Sequence, residues 1–253
     1  MKPKFFLAFV CLIILGSCDF LERNFSWDIK EKSKTSDGAI RSYYQNGKLR
    51  SICYVDSAKR KHGICISYYE SGTVKNKITY NHGEKVRGIS HYKSTGKPAL
   101  DISYKNGMKN GIRRKYYENG NLASEFEYKN NRPGKGLVEY KRNGGKVKGY
   151  PKLIVKPIDL IDTHGKYILE IYFDRDANRG EYFLGELLED KYLITGPQLA
   201  RLKDEDGIVS YELFVPKGMF RMEKLNFVAK YKTKRGNPHI AEKSFNLAVD
   251  NPI

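Results

Sequence analysis

Acids in alternating runs, histidines and cysteines are the residues of this chain that could do chemistry. The run Asp174-Arg175-Asp176-Ala177-Asn178-Arg179-Gly180-Glu181 sets oxygens at alternate positions, as a calcium loop does. Its glycine comes one place late, and Gly185 stands where the twelfth-position acid is needed. The run therefore reads as an acidic hairpin turn. Asp204-Glu205-Asp206-Gly207 reads as another turn. The five histidines, His62, His82, His91, His164 and His239, form no zinc-helix spacing. No glycine-rich phosphate loop and no nucleophile elbow is present. The sequence thus gives no catalytic residue, no metal site and no cofactor. Two enclosed carboxylates in the C-terminal part would be needed for a carbohydrate-active envelope enzyme, the reading from that class.

The four cysteines divide by position. Cys11 lies in the apolar run Phe5–Leu15, which comes after Lys2 and Lys4 and is too short to span a bilayer. This is the pattern of a secretory signal. It ends in Leu15-Gly16-Ser17-Cys18, which resembles a bacterial lipobox. The resemblance implies cleavage after residue 17, acylation of Cys18 with palmitate-type chains, and a stable anchor in a membrane of the bacterial cell envelope. Which membrane is left open. Residues 18–37 form a polar tether, in which Phe25 and Trp27 are expected to cap the strands that begin near residue 38. Cys53 and Cys65 remain. An oxidising envelope would permit a disulfide between them. Counting along the strands, however, sets Ile64 more nearly opposite Cys53.

The element that must position everything between residues 38 and 148 is a tandem repeat. Leading glycines fall at Gly38, Gly63, Gly88, Gly111 and Gly136, so the period is 23 to 25 residues. Each unit runs from glycine through a strand to Tyr-Tyr, a turn, and a second strand closing on Tyr. Asn46-Gly47 and Asn119-Gly120 suit tight hairpin turns. In the second strands Val74, Ile78 and Tyr80 alternate with Lys75 and Lys77, and Leu122, Phe126 and Tyr128 with Glu125 and Glu127. The first unit is one residue shorter between Gly47 and Tyr54, which predicts a bulge or slip there. A lone hairpin is unstable in water, whereas stacked copies shield one another. Nine or ten strands would make a ribbon about 45 Å long. The tyrosines are expected to pack ring on ring from unit to unit.

The stretch Gly111…Tyr116-Tyr117-Glu118-Asn119-Gly120-Asn121-Leu122…Tyr128, with its upstream equivalents, resembles the MORN repeat. It more closely resembles the bacterial variant found in YwqK-type antitoxin-like proteins. The resemblance implies an elongated antiparallel sheet of tandem β-hairpins serving as a scaffold or binding platform. It also brings an immunity or antitoxin-like reading, in which the protein neutralises a toxin by direct contact. Ser71-Gly72 and Thr95-Gly96 depart from Asn-Gly, and His91 stands where the third unit should carry its first tyrosine.

Beyond Gly149-Tyr150-Pro151, residues 151–253 show no repeat. They alternate as six or seven strands, with clear examples at Lys166–Phe173 and Leu225–Tyr231. Their number and spacing predict an immunoglobulin-like β-sandwich. Gln198–Lys203 is expected to form a short helical turn. The fold class is therefore all-β.

Charge is uneven. Residues 1–150 hold 30 Lys and Arg against 13 Asp and Glu, whereas residues 151–253 hold 16 of each. A basic sheet attracts anionic partners, although strand lysines also serve to block edge aggregation. The expected role is non-enzymatic: a lipid-anchored binding or scaffold module. Its partners would be the membrane, through the anchor, and an envelope protein or an anionic surface polymer or lipid. Nucleic acid is not expected of an exported protein. Tyrosine and arginine are the residue types favoured at binding hot spots, which makes Tyr43, Tyr68, Tyr116, Arg113 and Arg114 the candidate contacts.

Overall fold

The computed structural model describes residues 38–253 apart from 195 and 198. The signal, Cys18, the tether and the Phe25–Trp27 cap lie outside the described residues.

The repeats form one antiparallel sheet in chain order. Its strands are β1 (Ala39–Tyr43), β2 (Leu49–Tyr54), β3 (Gly63–Tyr68), β4 (Val74–Asn81), β5 (Glu84–His91), β6 (Pro98–Lys105), β7 (Met108–Tyr116) and β8 (Leu122–Lys129). Two short strands, β9 (Arg132–Pro133) and β10 (Val138–Glu139), share the last edge of β8. The total of ten strands agrees with the expected ribbon.

Each hairpin carries the same irregularity. Tyr43 pairs with Leu49, Tyr68 with Val74, His91 with Pro98 and Tyr116 with Leu122, and one residue is left over on the second strand each time. The bulge expected of the first unit is thus a property of the repeat. The missing residue of the first unit acts elsewhere: it turns Tyr54 to the face opposite Tyr80, where it is exposed. The turns also sort differently from expectation. At Asn46-Gly47 and Asn119-Gly120 only the glycine has positive φ. Within the repeat sheet, the two-residue turns with both residues at positive φ are the returns between units, at His82-Gly83, Asn106-Gly107 and Asn130-Asn131.

Register puts Cys53, Ile78, Ile102, Arg113 and Phe126 on one sheet face. The opposite face carries the row Ile52–Ile66–Lys77–Ile89–Asp101–Arg114–Glu125. This alternation matches the period-two pattern from Ile78 to Tyr80 and from Phe126 to Tyr128, whereas the bulges at Lys75 and Ala123 carry Val74 and Leu122, opposite Tyr68 and Tyr116, to the other face.

The remaining strands are β11 (Leu153–Leu160), β12 (Lys166–Phe173), β13 (Gly180–Gly185), β14 (Leu199–Leu202), β15 (Val209–Phe214), β16 (Met219–Lys232) and β17 (Pro238–Asn251). One helical turn, α1 (Ile161–His164), joins β11 to β12. The order β11-β12-β15 faces β14-β13-β16-β17. This three-on-four arrangement of antiparallel sheets is an immunoglobulin-like sandwich. Residues 199–202 are the strand β14 and not a helical turn. Pairing to β13 from Tyr182↔Leu202 to Gly185↔Leu199 overrides their local preference.

The sandwich core joins Leu169, Ile171 and Phe173 of β12 to Phe227, Ala229 and Tyr231 of β16 and Leu247 of β17. Tyr182 is fully buried there. Its hydroxyl donates to the Gly207 carbonyl at 2.8 Å and accepts from the Phe173 amide at 3.2 Å. The segment 186–194 folds back over the outside of β16 and β17, where Leu187, Leu193 and Ile194 pack on Val228 and Ile240. Residues 174–179 form a corner that passes from β12 in one sheet to β13 in the other, so the acidic run is a turn but not a hairpin turn, and its last two residues, Gly180 and Glu181, open β13. Asp176 accepts a hydrogen bond from the Tyr231 hydroxyl, and Arg179 donates to the Lys232 carbonyl.

Candidate binding surface

The repeat sheet is held together by its tyrosines, but not through stacked rings. The second tyrosine of each pair donates its hydroxyl to a backbone carbonyl one unit further on. Tyr44 reaches Tyr68 at 2.6 Å, Tyr69 reaches His91 at 3.3 Å, Tyr92 reaches Tyr116 at 2.6 Å and Tyr117 reaches Tyr140 at 2.7 Å. These bonds run across the strands along one margin of the sheet. They fix the spacing between units, and the expected ring-on-ring column is replaced by this ladder. A ring stack would demand a shorter repeat distance than two strands, which is about 10 Å.

Along the other margin the closing tyrosines are capped by lysine. Lys61 lies over Tyr80 at 5.1 Å, Lys85 over Tyr104 at 4.1 Å and Lys109 over Tyr128 at 5.2 Å from the ring centres. Gly88 leaves room for this: a Cβ there would stand 3.2 Å from the Lys85 stem and 3.6 Å from the Tyr104 ring. The attraction between ammonium and ring quadrupole orders each lysine without neutralising it.

Three units of this sheet match the MORN repeat variant, over residues 36–56, 61–82 and 109–130. The MORN-like unit from Gly88 to Lys105 lies outside the matched residues, and it is the one with His91 in place of tyrosine. It nevertheless folds with the same register and bulge as its neighbours. A comparison with curated proteins gives no match.

At its C-terminal end the MORN-like sheet is gripped by the sandwich. On one face the turn between β16 and β17 presses Asn237 against the sheet. Its amide donates to Glu139 Oε1 at 2.5 Å, and Thr233 Oγ1 donates to the same oxygen at 2.8 Å. Asn237 Oδ1 accepts from Ser124 and Arg113, each at 3.4 Å. Glu139, Thr233, Asn237 and Ser124 are all buried. Tyr150 stacks on His239 at 4.7 Å, and its hydroxyl accepts the Glu139 amide. The segment around Gly149 is therefore a seam between the two halves, which share one compact unit. Near the opposite face, Tyr192 bridges to Gly134, and Lys191 pairs with Glu127.

The five candidate contacts are not brought together. Tyr43 is about half exposed at the start of the sheet. The backbone carbonyls of Tyr68 and Tyr116 serve the tyrosine ladder. Arg114 pairs with Glu125 at 3.4 Å on the face opposite Asn237. Arg113 points into the seam, over the Phe126 ring, and burial there lowers its pKa. It is therefore withdrawn from any open surface. Sequence reasoning missed the lysine column and the seam. The column was visible as lysines recurring every 24 residues at Lys61, Lys85 and Lys109.

Cys53 and Cys65 do lie opposite each other. The pairing Ser51↔Ser67 and Ile52↔Ile66 extends directly to them, and their Cα atoms are 4.1 Å apart with the sulfurs in contact. Ile64 faces the other side. The expected offset came from counting through the Val55–His62 turn. There Asp56 accepts from the Arg60 side chain and lies 2.8 Å from His82 Nδ1. The His82 contact, with Arg60, holds the Asp56 carboxyl well below the usual range.

A groove of about 670 Å³ opens beside the seam, between Ile112 and Val138 of the sheet and Glu189 to Lys191 of the sandwich. Three of its carboxylates are tied to partners: Glu125 to Arg114 and the Tyr140 hydroxyl, Glu127 to Lys191 and Glu189 to Lys129. A general acid needs a carboxyl that keeps its proton near neutrality. The Lys191 hydrogen bond moves Glu127 the other way. Among the described residues, no group of three or more His, Cys, Asp or Glu is placed to hold a metal.

Proposed function

We propose that this protein is a non-enzymatic binding module of the bacterial envelope, anchored by lipid on Cys18, with its repeat sheet as the contact surface for an anionic partner. The observation that carries this reading is charge placed on a stiff frame. Residues 38–150 hold 24 Lys and Arg against 8 Asp and Glu. Two of the sheet's margins order their cations against tyrosine rings: Arg50 and Lys75 on the ladder side, and the lysine column on the other. Cations held in place lose less entropy on binding than free ones. The match to the MORN repeat variant supports a binding or scaffold role. The signal and the Leu15-Gly16-Ser17-Cys18 motif support the anchor.

Two measurements test the proposal. Palmitate labelling in a bacterial host should mark the parent chain and not Cys18→Ser. The purified full chain should bind immobilised anionic surfaces or envelope extract in a salt-dependent way. A chain that takes up no label, or passes every anionic surface at low salt, would overturn it.

A further inference from the structure

We infer that the column Lys61–Lys85–Lys109 is a track for a linear acidic polysaccharide with one anion for every two sugar rings. This rests on the reading just given and names the class of partner. None of the three lysines makes an ion pair with an acid among the described residues. By contrast, Lys129, Lys135 and Lys191 at the seam are all paired to glutamates. The column's charges are ordered over Tyr80, Tyr104 and Tyr128 and remain unneutralised.

Their spacing selects the ligand. The lysines enter β3, β5 and β7, two strands apart, so successive charges stand about 10 Å from one another. An extended polysaccharide with an acid on alternate sugars presents its anions at a similar interval and lies across the strands without bending. Each strand of duplex DNA carries a phosphate about every 3.4 Å of helix axis, so most of its charges would face no lysine. Base stacking also needs open aromatic faces. Here each ring of the column already carries an ammonium.

The test uses the full chain, purified in detergent, on matrices of hyaluronan, neutral dextran and single-stranded oligothymidylate, eluted with rising salt. Hyaluronan supplies one carboxylate per disaccharide. It should retain the parent, and dextran should not. The triple variant Lys61→Gln, Lys85→Gln, Lys109→Gln should lose about tenfold or more in affinity and show a shallower salt dependence. The triple Lys→Arg variant at the same positions keeps charge and ring contact and should bind like the parent. A control triple, Lys156→Gln, Lys166→Gln, Lys230→Gln, removes equal charge from ion-paired sandwich sites and should also bind like the parent. Thermal melts compare the folding of all variants. If hyaluronan holds the parent and the column variant equally, the column is refuted while the binding module stands. Tighter retention on oligothymidylate than on hyaluronan refutes the polysaccharide. If no anionic matrix retains the parent, the broader proposal falls too.

Discussion

Glu139 and Asn237 meet in the seam with both side chains buried, Asn237 Nδ2 standing 2.5 Å from Glu139 Oε1, although 98 residues separate them in the chain. Thr233 donates to the same oxygen, and the Asn237 amide N–H donates back to Thr233 Oγ1. Neither hydrophobic core cluster includes a repeat-sheet residue. Polar bonds of this kind are therefore a main attachment of the sheet to the sandwich.

Glu139→Ala should cost about 2–4 kcal/mol, because the Asn237 and Thr233 donors lose their acceptor in a place closed to water. Glu139→Gln keeps an acceptor oxygen and should cost less. Urea unfolding of both variants measures this. Equal stability of Glu139→Ala and the parent would show that water replaces the carboxylate.

Gly180→Ala should destabilise the sandwich. An added Cβ would stand 2.6 Å from the Tyr182 ring. That ring cannot yield, because it is fully buried and its hydroxyl is fixed on Gly207 and Phe173. Overpacking of this kind costs about 1–3 kcal/mol. A melt unchanged within error would contradict the rigid packing of Tyr182.

Local structure was legible where residue type and period coincide. The glycine and tyrosine repeat gave the sheet, its order and its faces. Alternation gave six of the seven sandwich strands, including Leu225–Tyr231 inside β16, and missed β14, which was expected to be a helical turn. What escaped depends on pairs far apart in sequence. Nothing near Glu139 announces Asn237, yet an acid at an inward position, paired to Ser124, demands a buried partner. Arg113 looked like part of a basic run because its contact with Asn237 spans 124 residues. Tyr-Tyr suggested stacking because ring size is visible in a sequence and hydroxyl direction is not.

The tyrosine ladder predicts a graded effect. Tyr117→Phe removes the bond to the Tyr140 carbonyl and should cost about 0.5–1.5 kcal/mol. Tyr44→Phe removes the equivalent bond to Tyr68 at the first unit, far from the sandwich. Its loss should appear as faster amide exchange in β1 to β3, with little change in β7 and β8, since repeat arrays couple mainly neighbour to neighbour. Uniform acceleration across the sheet would contradict this.

The cysteine pair should be bonded in protein recovered from an oxidising compartment. Thiol titration should then find neither Cys53 nor Cys65 free until a reductant is added. The enclosed loop is short, with a sequence separation of 12, so reduction should lower stability by about 2–3 kcal/mol. Cys53→Ser with Cys65→Ser should match the reduced parent. Free thiols in oxidised protein would overturn the assignment.

Acid should weaken the fold through two histidines, His91, which is buried, and His239, which is half-buried. Burial, with Lys77 nearby, lowers the pKa of His91, whose Nδ1 has no hydrogen-bond partner among the described residues. Burial also lowers that of His239, against a smaller opposing pull from Glu139. The unfolded chain binds protons as pH falls through about 6.5, before the folded chain does. More protons on the unfolded state mean that stability rises with pH, so it should be lost below about pH 6.5 and level off below the folded values. Each histidine contributes a slope of at most about 1.4 kcal/mol per pH unit. His91→Tyr restores the residue found at Tyr43, Tyr68 and Tyr116 and removes one titrating group. It should raise the melting temperature at pH 5.5 more than at pH 8. His239→Phe keeps a ring against Tyr150 and should flatten the acid side further. A melting temperature that falls between pH 8 and pH 5.5 by the same amount in the parent and in both variants would place the acid sensitivity elsewhere.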